Sequence, residues 1–355
     1  MKGTSTDRES YYAKVAETGE LSPLWTTRLV PPLPEDHIRA VPHLWDYDNA
    51  IREILFESAS LITAQEANRR VLTLENPGLD QSHRIAESLY AGLQLILPGE
   101  VAPPHRHTPS ALRFILEGEG AYTTVSGEKS PMLPGDFIIT PSMTWHEHGH
   151  EGDAPVVWMD GLDIPMVGLL GPMFFENYPE EHYPNARPTG DSLMRYGANM
   201  RPTTEGWDKI ESPIFHYPYA RSREALFKLA ENSETDPAVG AQLEYINPLD
   251  GGSAMPTIST FLQRLPGGFE GAAFRTTENI IYSPVEGAGR AHIGDPGNEL
   301  VLEWKSRDIF VVPCWVPHRL EADDESVLFS FSDRVVQKKL GLWRWERIEA
   351  GNGTS

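Results

Sequence analysis

Short apolar runs separated by turn residues dominate the chain from about residue 69 onward. Turns that contain Gly or Pro, at 76–78, 98–99 and 134–135, lie between runs at 70–74, 90–97, 111–116, 121–125, 137–140 and 156–160. This pattern is typical of an antiparallel sandwich or barrel. Apolar residues follow helical spacing at 48–61, with Asp48 as the expected cap, and near 222–230.

The β pattern of the first half returns after residue 256. Leu-Pro-Gly at 97–99 is echoed at 265–267, Asp-Phe-Ile-Ile-Thr-Pro at 136–141 by Asp-Ile-Phe-Val-Val-Pro at 308–313, and Trp-His at 145–146 by Pro-His at 317–318. A repeat at a steady offset indicates a duplicated unit. We therefore expect two small β-barrels, at 69–165 and 256–335. The remaining segments are an N-terminal helical and loop segment at 1–68, a linker with a helix at 166–255 and a tail at 336–355.

Composition narrows the class of protein. The 355 residues include 30 Lys+Arg against 51 Asp+Glu, a net charge of −21, which argues against a nucleic-acid or anionic membrane partner. The single cysteine, Cys314, cannot form an internal disulfide, and the N-terminus has no apolar signal core. The longest apolar stretch, 164–175, is broken by Pro and Gly and is too short to span a bilayer. We expect a cytoplasmic protein.

Three histidines are the strongest chemical signal in the first half. His105 and His107 are two residues apart on an expected strand, so both side chains project from one face, and a hairpin return brings His146 to the same region. Three imidazoles in a barrel mouth suit a divalent ion such as Fe(II), Mn(II), Ni(II), Cu(II) or Zn(II). We therefore predict a metal site at these residues.

The second half lacks this set. Ala273 and Arg275 stand where we expect the counterparts of the first histidine pair, and only His318 remains. Because one imidazole does not hold a catalytic metal, we expect the second barrel to be free of metal. Arg275 and Glu278 are expected to form a polar network in its mouth.

The histidines and their flanking residues resemble the two motifs of the cupin superfamily. The matching positions are Gly99, His105, His107 and Gly118 in the first motif and Gly135, Pro141 and His146 in the second. The chain departs from the pattern, because Ala111 or Leu112 stands at the usual Glu ligand, and Met143 and His150 replace a Gly and an Asn. A site without a carboxylate leaves the full 2+ charge on the metal, which suits an aromatic acid with an adjacent hydroxyl, plus O2.

Longer segments, at 69–70, 90–94, 105–120, 157–165 and 312–317, resemble the gentisate 1,2-dioxygenase family, and the resemblance spans about residues 40–333. It implies an all-β bicupin of two antiparallel jelly-roll barrels, with a helical N-terminal segment and a helix-containing linker, assembled as a homotetramer. It also implies that His105, His107 and His146 bind one Fe(II) per chain. The implied activity is extradiol-type cleavage of gentisate by O2, between the carboxyl- and hydroxyl-bearing carbons, to give maleylpyruvate.

Two arginines are candidates for binding the substrate carboxylate. Arg113 lies six residues after His107, so strand parity favours the inward face, where a guanidinium can clamp a carboxylate with two hydrogen bonds. Only one of the consecutive Arg69 and Arg70 can face the barrel, and the family resemblance assigns Arg69. We also expect Tyr90, Gly92 and Gln94, which share strand parity, at the substrate; Gln94 would hydrogen-bond to it, and Gly92 would leave room for its ring.

Two further residues, His148 and Asp160, complete the expected site. His148 shares strand parity with His146, and we expect it to hydrogen-bond or to transfer a proton, a role that the resemblance supports. His150 is expected to be exposed. Asp160, on the next strand, is expected to orient either His148 or Arg113.

Other functions remain open at this point. Close relatives of the resembled family act on salicylate or 1-hydroxy-2-naphthoate, and a few methyl-sized changes in a pocket wall decide between such acids. A bicupin that binds a ligand without catalysis is a different class. A cupin sugar-phosphate isomerase is disfavoured, because Ala111 removes the carboxylate ligand that such a site would need.

Overall fold

The computed structural model describes residues 4–26, 29–30, 37–67, 69–204 and 206–348. The chain divides into two compact units, residues 1–38 and 39–355. In the first unit, helix α1 (Ser5–Thr18) begins with a capping box between Thr4 and Asp7 and ends at Gly19, whose φ is 64°. A single 3₁₀ turn follows at Leu24–Thr26.

Near its start, the second unit contains the helix that the apolar spacing predicts at 48–61. A π-helical segment (Tyr47–Ile51) continues into α2 (Arg52–Leu61), and the cap is Asp46 rather than Asp48, because the Asp46 side chain accepts from the Asn49 N–H. The other α-helices in the described part of the chain are α3 (Ala64–Ala67), α4 (Ile164–Leu170), α5 (Asp191–Tyr196), α6 (Tyr219–Asn232) and α7 (Arg334–Lys339). Helix α6 confirms the prediction near 222–230. Among the described residues, no helix is both long and apolar enough to cross a membrane.

The other regular elements of this unit are strands. Those before the central helices are β1 (His43–Trp45), β2 (Arg70–Thr73), β3 (Tyr90–Ile96), β4 (Val101–His107), β5 (Ala111–Glu117), β6 (Ala121–Val125), β7 (Glu128–Pro131), β8 (Phe137–Thr140), β9 (His146–His150), β10 (Val156–Leu162) and β11 (Phe175–Asn177). Those that follow are β12 (His216–Tyr217), β13 (Ala241–Glu244), β14 (Ser259–Leu265), β15 (Phe269–Glu270), β16 (Phe274–Thr276), β17 (Ile280–Glu286), β18 (Ala288–Ile293), β19 (Leu300–Lys305), β20 (Ile309–Val312), β21 (His318–Ala322), β22 (Ser326–Ser332) and β23 (Trp345–Arg347).

The strands form two barrels of two antiparallel sheets each. The N-terminal barrel pairs an inner sheet, in the order β12-β8-β5-β10-β3-β2, with an outer sheet, β11-β4-β9-β6-β7. The C-terminal barrel pairs an inner sheet, β1-β20-β17-β22-β14-β13, with an outer sheet, β19-β18-β21-β16-β23, and β15 also pairs with β21. The chain is therefore all-β, with the two-barrel architecture that the repeat predicts.

The two inner sheets bury both of their faces. In β5, Ile115 points into its own barrel, whereas Phe114 points out toward the other barrel. The Phe114 ring stacks on Phe329 of β22, with ring centroids 4.0 Å apart and planes 7° from parallel. Because successive strand residues point to opposite faces, strands that are covered on both sides carry nearly continuous apolar runs.

Segments outside the two expected barrels also supply strands. β1 from the N-terminal segment pairs with β20, and β23 from the tail pairs with β16. The linker adds β11, β12 and β13, which pair with β4, β8 and β14. These strands are only two to four residues long, so they carry too few alternations for a sequence pattern to reveal them.

Candidate metal and substrate site

Three histidine side chains converge in the N-terminal barrel. His105 and His107 lie on one face of β4, and His146 begins the neighbouring β9, where it pairs with His105 in the strand register. One ring nitrogen from each residue lies within 4.8 Å of the others, an arrangement that could hold a metal ion. His105 and His146 are buried, and His107 is partly buried.

Hydrogen bonds fix how these rings present their nitrogens. Each Nδ1 faces a backbone carbonyl: Pro103 O at 3.1 Å from His105, Pro109 O at 2.7 Å from His107 and Thr144 O at 2.9 Å from His146. Because a carbonyl only accepts, each Nδ1 carries the proton and each Nε2 presents a lone pair. The Nε2 atom of His146 is buried without a hydrogen-bond partner among the described residues.

Burial also keeps the imidazoles neutral. Desolvation lowers the pKa of His107 to about 4 and moves the pKa values of His105 and His146 further below their usual range. Neutral imidazoles are the form that binds a metal. The donor set therefore fits a divalent transition ion, and no carboxylate joins it among the described residues.

The turn before His146 explains one departure from the cupin motif. Met143 has a φ of 53°, in the left-handed region that favours glycine, and its N–H donates to His107 O at 2.8 Å. A non-glycine residue is strained there by roughly 1–2 kcal/mol. The motif usually has glycine here because glycine adopts this φ without strain, whereas Met143 adopts it with that loss of conformational energy.

A cavity of about 340 Å³ opens beside the histidines. His107 lies in its wall, together with Arg69, Val71, Tyr90, Gln94, Pro109, Ala111, Arg113, Asp160, Leu162, Ile164, Met173, Phe174 and Phe175. Two arginines against one aspartate give this wall a net positive charge, although the whole chain carries −21. The cavity therefore favours an anionic ligand.

Arg113 is held between two side chains deep in the barrel. Its Nε lies 3.6 Å from Asp160 Oδ1, and its terminal nitrogen contacts Thr140 Oγ1. Asp160 Oδ1 also accepts from Trp158 Nε1 at 3.0 Å, and burial raises the pKa of Asp160. Of the two partners expected for Asp160, the structure therefore places it beside Arg113.

Arg69, immediately before β2, and Arg70, its first residue, face opposite ways. Arg69 lines the cavity and contacts the ring of His105, and burial lowers its pKa to about 10. Arg70 forms an ion pair with Glu100 and donates to Ile62 O at 2.9 Å.

Tyr90 and Gln94 line the cavity, whereas Gly92 does not. A Cβ at Gly92 would lie 2.5 Å from the Tyr90 hydroxyl and 2.7 Å from Val71 Cγ1. The missing side chain of Gly92 makes room for Tyr90 and Val71, which both line the cavity, and its effect on a substrate ring stays a prediction.

The other two histidines of β9 are both buried. His148 is outside the cavity wall, and its Nδ1 lies 2.9 Å from Thr123 Oγ1, while its Nε2 has no hydrogen-bond partner among the described residues. The prediction that His150 is exposed was wrong. Only 4% of His150 is exposed, because its ring bonds to Ala154 O at 2.6 Å and accepts from Gly152 N at 2.9 Å.

Sequence reasoning missed the apolar side of the cavity. Met173, Phe174 and Phe175 lie there, and the Phe175 ring stacks on His105 at a centroid distance of 5.3 Å. The signal was present in the apolar stretch 164–175, which contains α4 and the first residue of β11, the strand that pairs with β4.

The second barrel has a different register from the one expected. Phe274, not Ala273, pairs with His318, as His105 pairs with His146. The Trp315 N–H donates to Thr276 O, as Met143 donates to His107 O, so Thr276 rather than Arg275 corresponds to His107.

The expected polar network of Arg275 and Glu278 is also corrected. Glu278 pairs with Arg334 at 2.9 Å, whereas Arg275 pairs with Glu346 on β23. The conclusion that no histidine pair lies opposite His318 is unchanged, because Phe274 and Thr276 are not metal ligands.

Comparison with known proteins agrees with this architecture. Residues 92–164 match the Cupin domain model. The chain is 32% identical to salicylate 1,2-dioxygenase from Pseudoaminobacter salicylatoxidans, solved in adducts with gentisate, with a TM-score of 0.88 over 99% of this chain and 96% of that one. The protein is thus an all-β bicupin of the dioxygenase type.

Sequence relatives identify the family within that class. The chain is 52% identical to gentisate 1,2 dioxygenase 1 of Aquipseudomonas alcaligenes over 96% of both chains. It is 35% identical to gentisate 1,2-dioxygenase of a Ralstonia species over 91% of this chain and 90% of that one. The chain belongs to the gentisate 1,2-dioxygenase family.

Proposed function

We propose that this chain is a gentisate 1,2-dioxygenase with one Fe(II) per chain. The observation that supports it most directly is a set of three neutral imidazoles beside a cavity with two arginines in its wall. Gentisate and O2 combine to give maleylpyruvate, as the bond between the carboxyl- and hydroxyl-bearing carbons breaks in an extradiol-type cleavage. Both oxygen atoms enter the product, so the reaction needs no separate reductant.

His105, His107 and His146 would hold the iron through their Nε2 atoms. A bound Fe(II) supplies the electron exchange between an aromatic ring and O2, which these side chains cannot provide. The three imidazoles are neutral, so the site keeps its positive charge for an anionic ligand.

The cavity wall binds and orients the aromatic acid. Arg113, steadied by Asp160, and Arg69 present guanidinium groups to the carboxylate. Gln94 and Tyr90 offer hydrogen bonds to the ring hydroxyls. Phe174 and Phe175, which are 62% and 53% exposed, offer an apolar side against which the ring can pack.

His148 is the proposed proton-transfer group. It is 1% exposed, and its Nε2 is not committed to any other described residue. Its ring centroid lies 5.8 Å from that of His146. The ring is therefore close to the expected metal without belonging to the set of three.

The proposed assembly is a homotetramer in the cytoplasm. Leu169 and Leu170 are 88% and 79% exposed, and they adjoin the apolar residues that cover the cavity. Exposed apolar patches mark contact surfaces. Light scattering on the purified chain measures the mass of the assembly.

Oxygen consumption tests the function. The Fe(II)-loaded chain is given gentisate, salicylate and 1-hydroxy-2-naphthoate side by side, with His105→Ala as the control. We expect gentisate to be consumed fastest. Faster turnover of another acid would reassign the substrate, and binding without oxygen uptake would favour a non-catalytic bicupin.

A further inference from the structure

A buried carboxylate outside the cavity is connected to the histidine set through one peptide group. Asp163 follows β10 directly, is 2% exposed, and contacts no histidine among the described residues. Its Oδ1 accepts the Ser110 N–H at 2.9 Å, and its Oδ2 accepts the Thr257 hydroxyl at 2.6 Å. Both carboxylate oxygens are therefore held in fixed positions.

The Ser110 N–H belongs to the same peptide group as the Pro109 carbonyl. That carbonyl accepts from His107 Nδ1 at 2.7 Å. The hydrogen bonds run from the imidazole through the peptide group to the carboxylate, and each polarises the next. Carboxylates that hydrogen-bond to a metal-binding histidine orient the ring and raise its basicity. Here the peptide group transmits that effect.

The other hydrogen-bond donor of Ser110 is fixed as well. Its hydroxyl donates to Glu211 Oε1 at 3.1 Å, and Glu211 is 3% exposed. Ser110 lies between Pro109 and Ala111, which both line the cavity. The short loop after His107 is thus anchored from the side away from the substrate.

His105 has no comparable connection. Its Nδ1 faces Pro103 O, and the next residue is Pro104, which has no N–H to donate to a carboxylate. The peptide connection therefore distinguishes His107 from the other histidine on β4.

The second barrel contains the same bond without the histidine pair. Asp333 follows β22 as Asp163 follows β10, and it accepts the Asn279 N–H at 2.9 Å and the Ser88 hydroxyl at 2.6 Å. Thr276 stands there in place of His107, so the Asp333 carboxylate has no imidazole to orient. The hydrogen bond from Asn279 to Asp333 therefore represents the contribution of such a bond to the fold without an effect on a histidine.

We propose that Asp163 is a positioning residue, which orients His107 and strengthens its bond to the metal through the Pro109–Ser110 peptide group. This inference rests on the metal site of the proposed function. It predicts that Asp163 changes metal affinity, whereas its counterpart Asp333 does not.

Co(II) titration against a competing chelator tests the proposal, with the wild-type chain, Asp163→Asn and the matched control Asp333→Asn. We expect Asp163→Asn to weaken Co(II) binding by about tenfold, the lower end of the effect of such outer partners, while Asp333→Asn leaves it unchanged. Wild-type affinity in Asp163→Asn, or an equal loss in Asp333→Asn, would overturn the inference. A wild-type chain that binds no Co(II) would overturn the proposed function with it.

A second measurement separates orientation from general destabilisation. In the Zn(II)-loaded chain with ¹⁵N-labelled histidine, Asp163→Asn should shift the Nδ1–H signal of His107 upfield and leave that of His105 in place. Thr257→Val removes one of the hydrogen bonds to the Asp163 carboxylate, and it should shift the His107 signal in the same direction by a smaller amount. This variant replaces Asp163→Asn in the experiment if Asp163→Asn does not fold. No movement of the His107 signal in either variant contradicts the proposal.

Discussion

Arg113 offers the sharpest test of how the cavity selects its ligand. Arg113→Met removes the guanidinium that lies 3.6 Å from Asp160 and contacts Thr140, and it leaves the three histidines in place. Charge-assisted hydrogen bonds contribute about 1.5–3 kcal/mol. Since 1.36 kcal/mol corresponds to a factor of ten, kcat/KM for gentisate should fall roughly 10- to 150-fold.

The same substitution should lower stability, because it leaves Asp160 buried without its closest cation. Breaking a buried pair costs about 3–5 kcal/mol. Burial already raises the pKa of Asp160, so this carboxyl can take up a proton and reduce the cost as the pH falls. Arg113→Met with Asp160→Asn should therefore regain stability while its activity stays low.

Oxygen uptake with gentisate and hydroquinone, which lacks the carboxylate, measures the selection directly. The wild type should strongly prefer gentisate, and Arg113→Met should lose much of that preference while keeping its iron. Arg334→Met, which breaks the buried pair with Glu278 in the other barrel, is the matched control for stability. Comparable turnover of hydroquinone and gentisate by the wild type would refute the carboxylate clamp.

Three further outcomes follow from the site. His146→Ala should lose iron in metal analysis, whereas His318→Ala should keep about one iron per chain; two irons in the wild type would reveal a second site. His148→Ala should keep its iron yet lose about 10²-fold in kcat, and loss of iron would make His148 a ligand. Burial raises the pKa of Asp163 to about 6, so the native state binds its proton more tightly than the unfolded chain. Stability from this group is therefore lost as pH rises from 4 to 6, by roughly 2–3 kcal/mol, and urea unfolding of Asp163→Asn should lack that loss.

The sequence predicts the first barrel well because its strands are regular. The runs at 121–125 and 137–140 coincide with β6 and β8, and the turns between them contain Gly or Pro. The histidine set could be predicted because two of its members are two residues apart on one strand. Strand alternation alone then places both on one face.

The second barrel shows where this reasoning fails. Residues 97 and 265 differ by 168, and adding this offset to His105 gives Ala273. The residue that pairs with His318 is instead Phe274. A one-residue change of register moves every side chain of a strand to the other face. Loop lengths set the register, and no periodic pattern records them.

Hydrogen bonds between residues far apart in the chain could not be predicted from the sequence either. Asp163 meets Thr257, which lies 94 residues further along the chain. The short loop after β9 brings the Ala154 carbonyl to the buried ring of His150, and nothing in the spacing of the histidines indicates that loop. Such contacts depend on how distant segments pack.

Phe114 of one inner sheet stacks on Phe329 of the other, so each barrel protects the inner sheet of the other from solvent. A shortened chain with only the N-terminal barrel would expose the outward apolar face of its inner sheet, and exposed apolar surfaces of this kind self-associate. Under the proposed function, the C-terminal barrel needs no histidine set, but it needs the apolar face of its inner sheet, which packs against that of the N-terminal barrel. The proposed function thus places the reaction in one barrel, while the other barrel contributes to the stability of both.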